Sequence, residues 1–447
     1  MIRNKLIGAE PIWKRVTLIE RLFSRAEPDA VTTAESATVA RQGMWVFLSS
    51  ISSSGLGLLF WSLAARRFFS AEDVGIAAGL VSLSSLATVL ATLGLDISFV
   101  RFAPRVSNPL QLLRKLTLIT GGLSVVVGGI LPFTILSVGH LETGALFTLV
   151  GLIIFLTVAQ AWNDLTNGAL MAGQKSHILT IANTAYGVLK IGALFLAVGR
   201  GSVGLTAAYA LPAAVLLIIN FSYVPRLWPR IIEGAPPASL RDLAGLSAGN
   251  WISGLAYSLP VRLAPGLMLL FLPPAEVAYF FIALQLAEVL NYMSEAFSKS
   301  LFAHGSRKDH LTGSITKQMR GLLALILIPA VAIGILFAPF ALSIVGGPDY
   351  ASHFLALQLF LLATIPKGYY QILKAQFNVE QRPMALVASG TVLGISTLGF
   401  LLIGLFLQVN LNLLPVSWIL GGLLGLSVGL SMAGKRRVVP EHAANGP

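Results

Sequence analysis

Apolar residues in this chain fall in long runs separated by short polar stretches, without the strict alternation of a half-buried strand. A helix needs about 20 mainly apolar residues to cross a bilayer. Twelve stretches reach that length, at roughly 43–65, 76–98, 116–138, 145–165, 178–199, 203–223, 243–272, 275–298, 319–344, 353–373, 384–407 and 412–433. The pattern predicts an all-α membrane protein with twelve transmembrane helices. Within several of them polar residues recur every three to four positions. The eighth carries Gln285, Glu288, Tyr292 and Glu295 with Asn291 alongside, the fifth Asn183, Tyr186 and Lys190, and the tenth Lys367, Tyr370, Gln371 and Lys374. That spacing gathers them on one face, and a polar face inside a bilayer turns away from lipid.

The chain also repeats. Gly43-Met44-Trp45 and Gly249-Asn250-Trp251 open the first and seventh stretches with an offset of 206, Ala71-Glu72 and Ala275-Glu276 follow at 204, and Lys175 and Arg382 at 207. Six helices per copy means both copies enter from the same side, so the pseudo-twofold axis relating the two six-helix bundles runs along the membrane normal. The expected organisation is a cytoplasmic segment 1–42, a bundle 43–223, a linker 224–242 containing Pro225, Pro229 and Pro236-Pro237, a second bundle 243–433 and a tail 434–447. In the first segment Ile12, Val16, Ile19 and Phe23 recur at helical spacing among Lys14, Arg15, Arg21 and Arg25. That fits a helix on the inner membrane surface or a loose tail.

Composition removes other classes. Only 11% of residues are charged, against about 25% in soluble domains. No stretch between the apolar segments is long enough for a soluble catalytic domain, so the expectation is no enzyme and no catalytic residues. There are no cysteines, and the six histidines lack metal-ligand spacing, which leaves no expected metal or bound cofactor. The net charge of +12 is unevenly placed: 25 Lys and Arg lie on the side of the termini, and three (Arg66, Arg67 and Arg200) on the other. This bias puts both termini in the cytoplasm of a multi-pass inner-membrane protein. It assigns the positive excess to anionic lipid rather than nucleic acid.

Residues 243–299 look like the wall of an internal chamber. Arg262, beside Pro260 and Pro265, interrupts the seventh helix and Glu288 the eighth. A charge at the centre of a membrane helix costs roughly 2.5–3.5 kcal/mol, so it faces a partner or a wet cavity. In one reading Arg262, Lys190 and Lys367, with Tyr370, Gln285 and Asn183, bind an anionic passenger, because Arg and Lys complement phosphate. Glu288 is then the candidate for coupling to a proton or sodium ion. In the other reading the charges pair internally, for example Glu288 with Arg262. Asp96 and Asp164 read as solvated helix-end residues. Pro260, Pro265 and Gly266, with Ser52, Ser53, Ser54, Gly55 and Gly57 in the first helix, would let a related pair of helices bend. Gly421, Gly425 and Gly429 have the small-xxx-small spacing of close helix packing.

Ala65-Arg66-Arg67, then Ser70-Ala71-Glu72-Asp73-Val74-Gly75, Leu93-Gly94-Leu95 and Arg101 resemble the opening two helices of bacterial oligosaccharide and polysaccharide flippases. Residues 167–193 resemble that family's junction between helices four and five, and the likeness spans roughly 40–435. Its motifs are loose and mostly structural. Asp96 departs from the small or apolar residue expected there. The resemblance implies a V-shaped cleft between two bundles that opens alternately to each membrane face. It also implies a polyprenyl-diphosphate-linked oligosaccharide as passenger, flipped to the outer leaflet for exopolysaccharide synthesis, with membrane lipid and polysaccharide polymerase or export proteins as partners. The family has no strict site motif, so the site residues above rest on the physical argument alone. Alternatives are a multidrug extruder of the same superfamily, which would want acidic chamber residues, and a polytopic glycan polymerase or ligase, which would carry a large outer loop.

Overall fold

The computed structural model describes residues 30–138, 143–227, 240–307, 313–380 and 382–434. The amphipathic stretch 12–23, most of the linker and the basic tail lie outside these residues. In chain order the helices are α1 (Ala30–Leu63, ending in a π turn), α2 (Ala71–Thr92), α3 (Leu95–Phe102), α4 (Pro109–Val138), α5 (Thr143–Ala172), α6 (Ser176–Ala197), α7 (Gly201–Ala210) and α8 (Ala213–Leu227). The second half holds α9 (Leu240–Met268), α10 (Pro274–Arg307), α11 (Gly313–Leu336), α12 (Ala338–Val345), α13 (Pro348–Ala351), α14 (Phe354–Val379), α15 (Pro383–Phe406) and α16 (Val416–Gly434).

Ten spans among the described residues are long and apolar enough to cross a membrane. Helices α9 and α14 complete the twelve; their charged and polar residues, Arg262 and Lys367 among them, dilute an otherwise apolar run. Three expected spans are interrupted. The sixth divides into α7 and α8 around Pro212, whose missing N–H cannot continue the helix. The ninth breaks at Phe337 before Pro339, giving α11 and α12. The second stops at Thr92, because Leu93 and Gly94 both take left-handed backbone (φ 49° and 70°). Asp96 therefore opens a separate helix, α3. At the other end of α2, Ser70 caps the helix, its hydroxyl oxygen accepting from the Asp73 N–H at 3.1 Å.

Helices α1 to α8 pack on one another, as do α9 to α16, and the two bundles meet mainly through α2, which lies along both α9 and α10. Glycine permits this approach. A Cβ added at Gly75 would sit 1.7 Å from the Pro274 carbonyl oxygen, and one at Gly266 would strike Leu83. Trp251 donates from Nε1 to the Val89 carbonyl at 2.8 Å, so the α2–α9 contact continues toward the end where the termini lie. The α1–α10 side differs. Trp61 meets Phe281 edge to face at 4.9 Å. Toward the termini Met44, Leu48, Ile51 and Val289 are exposed, and Cβ atoms at Gly55 and Gly57 would meet nothing, while Tyr292 of α10 still reaches Ser54 of α1. One side of the seam is thus closely packed along α2, and the other is joined at fewer points.

At the π turn the bundles are tied again. The Ser62 hydroxyl donates to the Val345 carbonyl at 3.0 Å and the Arg66 guanidinium to that of Ile344, satisfying the end of α12. Within the second bundle Gly421 and Gly425 lie against Thr397 and Leu393, with no room for a side chain. Helix α9 runs unbroken through Pro260 and Pro265, and Gly266 is occupied in packing.

Candidate functional site

Arg262 projects from the last third of α9 across the seam to α2. Its Nη1 donates to the Ser85 carbonyl at 2.9 Å and to the Ser85 hydroxyl. Asp164 of α5 and Tyr292 of α10 lie within its electrostatic range, and Asp164 in turn senses Asp96. The two carboxylates expected to be solvated helix ends thus point toward the seam and are only partly exposed. The cause is the turn at Leu93-Gly94, which folds α3 onto α5 so closely that a Cβ at Gly168 would come 2.9 Å from the Asp96 carbonyl. Burial there holds the Asp96 carboxyl above its ordinary range.

A second charged group is internal to the other bundle. Lys367 Nζ lies 2.7 Å from Glu288 Oε1, with side chains 7% and 15% exposed. Glu288, weighed as a partner for Arg262, is held by Lys367 instead. The Tyr257 ring lies under both Lys367 and Lys374, at 5.3 and 5.2 Å, while its hydroxyl accepts from Gln371 Nε2 at 2.8 Å. Tyr370 is fully buried and stacks on Tyr257 at 5.7 Å, with its hydroxyl beside Gly390 and Ser253. Gln285 is half-buried on α10.

Lys190 belongs to neither group. It is 5% exposed within the first bundle. Its ammonium lies 4.3 Å from the centre of the Tyr209 ring, 4.5 Å from Tyr186 and 5.8 Å from Phe60. No carboxylate pairs with it among the described residues. The Tyr186 hydroxyl donates to the Tyr209 carbonyl at 3.0 Å and fixes the box. Each close ring stabilises a cation by about 0.5–2 kcal/mol. Two of them roughly offset the ~2.5–3.5 kcal/mol cost of a charge at membrane depth. Asn183, two turns earlier on the same face, donates to the Ser49 hydroxyl at 3.0 Å and ties α6 to α1.

The structure therefore separates the charges that spacing grouped together. Arg262 is at the seam, Lys367 and Glu288 are in one bundle, and Lys190 is in the other. What the sequence reading missed is the seam position of Asp96 and Asp164. A signal was present, since Gln160, Asn163, Asp164 and Asn167 fall on one helical face, and Thr88 of α2 donates to Gln160 at 3.1 Å.

The same fold occurs in solved transporter structures. An inward-facing multidrug resistance MATE family transporter of the MOP superfamily matches with a TM-score of 0.60 and 18% identity, over 88% of this chain and 94% of its own. The lipid II flippase MurJ in an inward closed conformation matches with a TM-score of 0.66 and 12% identity, over 87% of both chains. An outward-facing MATE family transporter matches at 0.58 and 16%, over 89% of this chain and 94% of its own. No family model and no curated protein matches the sequence. At these identities the likeness defines a fold: twelve membrane helices in two six-helix bundles, in a multi-pass membrane protein.

Proposed function

We propose that this protein is a transporter that flips a polyprenyl-diphosphate-linked oligosaccharide from the cytoplasmic to the outer leaflet. The bundles would alternate in opening to the two membrane faces, and no bond is made or broken. Arg262 is the observation that carries the reading. Both of its hydrogen bonds use one guanidinium nitrogen and neutral partners on Ser85. That leaves most of the planar fork for a bidentate phosphate acceptor. The apolar, exposed faces of α1 and α10 beside it suit an apolar tail that stays in lipid while the head group enters. The positive side of the chain faces the cytoplasm, so the end sealed by Arg66 and Ser62 is the outer one. Glu288 can serve as a coupling site only if its pair with Lys367 opens; full gradient dependence surviving in Glu288→Gln excludes it.

A second reading, an extruder of cationic drugs, is favoured by the carboxylates of Asp96 and Asp164 near Arg262. One experiment separates the two. In cells lacking the protein, a lipid-linked glycan is expected to accumulate on the cytoplasmic leaflet, with surface polysaccharide restored by the wild-type chain and not by Arg262→Ala. Unchanged glycolipids together with raised drug sensitivity would instead establish the extruder. Glycosyl transfer by the purified protein would point to a polymerase or ligase.

A further inference from the structure

We propose that Lys190 is a proton-binding site, and that Tyr209, Trp61 and Phe281 transmit its charge state to the seam between the bundles. The inference rests on the transporter reading and adds the site at which a proton gradient acts. The amine sits in a closed box of rings from three helices, Phe60 of α1, Tyr186 of α6 and Tyr209 of α7. The rings attract the ammonium and have no comparable hold on the neutral amine, while burial penalises the ammonium alone. A carboxylate partner, which would hold the ammonium in every state, is not found among the described residues.

Beyond the box, Tyr292 of α10 lies within electrostatic range of Tyr209. On the helices packed against α6, Tyr209 is the titratable side chain of α7, Asp164 of α5 lies beside Arg262, and Tyr223 and Arg226 of α8 stand in its last turns. Arg66 and Arg67 lie past the end of α1, and on α6 itself His177 occupies the first turn. At 5% exposure the amine cannot exchange its proton with water in this conformation, so a proton captured in one state is carried rather than leaked.

The route to the seam is short. Tyr209 packs on Trp61 at 5.7 Å, and Trp61 reaches Phe281 of the opposite bundle at 4.9 Å. That is where α1 touches α10. When the ammonium gives up its proton, the pull on the Tyr209 ring is lost, Trp61 loosens against Phe281, and the sealed end is free to part.

The absence of cysteine in the chain makes this testable on the full-length protein. Spin labels on Arg67→Cys and Asp349→Cys, which line one pocket between the bundles, report the separation there. In lipid nanodiscs without substrate, the wild-type ratio of short to long distances is expected to fall about tenfold from acidic to alkaline buffer. Lys190→Arg, always charged, is expected to stay short throughout, and Lys190→Met to stay long. Trp61→Leu keeps the amine but cuts the route, and is expected to lose the pH response even if Lys190→Met fails to fold. A wild-type protein without a pH response, or variants that retain it, would overturn the proposal. Because no glycolipid is present, that result leaves the passenger open, while a wrong passenger leaves the pH response intact.

Discussion

Removing the carboxylate of Glu288 should destabilise the second bundle more than removing both members of its ion pair. The side chains are 7% and 15% exposed, so Glu288→Met leaves the Lys367 ammonium with little water and no anion. Stranding one partner of a buried pair costs about 3–5 kcal/mol. The residual exposure of Glu288 and the Tyr257 ring at 5.3 Å from Lys367 Nζ pull the figure toward the low end, about 2–3 kcal/mol. In Glu288→Met with Lys367→Met, two thioether chains of similar length fill the site and no charge remains. That protein should lie within about 1 kcal/mol of wild type, which makes the coupling energy in the double-mutant cycle about 2–3 kcal/mol or more. Reversible unfolding in mixed micelles of increasing denaturing-detergent fraction, followed by tryptophan fluorescence, measures each corner of the cycle. If Glu288→Met alone costs less than about 0.5 kcal/mol, or the double variant costs the sum of the singles, the pair is no buried lock and the reasoning fails.

The remaining expectations follow from geometry. Gly75→Ala drives a Cβ to within 1.7 Å of the Pro274 carbonyl oxygen, a backbone atom with no rotamer to escape into. It should cost about 1–3 kcal/mol in the same unfolding assay, whereas Gly57→Ala, with open space around it, should be neutral within about 0.5 kcal/mol. Ser70→Ala removes the cap of α2 and should lower stability by about 1 kcal/mol, with Ser70→Asp recovering most of it. Arg262→Lys keeps the charge but loses the planar fork; surface polysaccharide in the complemented deletion strain should fall short of wild type, and full rescue would mean the fork is not used.

Much of the fold was legible along the chain because crossing a bilayer is a local requirement. A run of apolar residues, summed over about 20 positions, fixes a helix whatever its neighbours are. The glycine stripe of α16 was an equally local signal, and helix α16 packs as that stripe requires. Interruptions were less visible. Leu93-Gly94 sits within an apolar stretch, and only left-handed backbone at both residues reveals that Asp96 starts a new helix.

Partnership among the polar residues was decided by tertiary structure alone. Spacing places Glu288 and Lys367 on polar faces, but it cannot say that two residues 79 apart will meet. Nor does it show that Arg262 ends on Ser85, or that Lys190 closes into a ring box drawn from three helices. Hydropathy depends on the sum along one helix. Pairing depends on which helices become neighbours and on how each is rotated about its own axis, and the packing of the two bundles sets both.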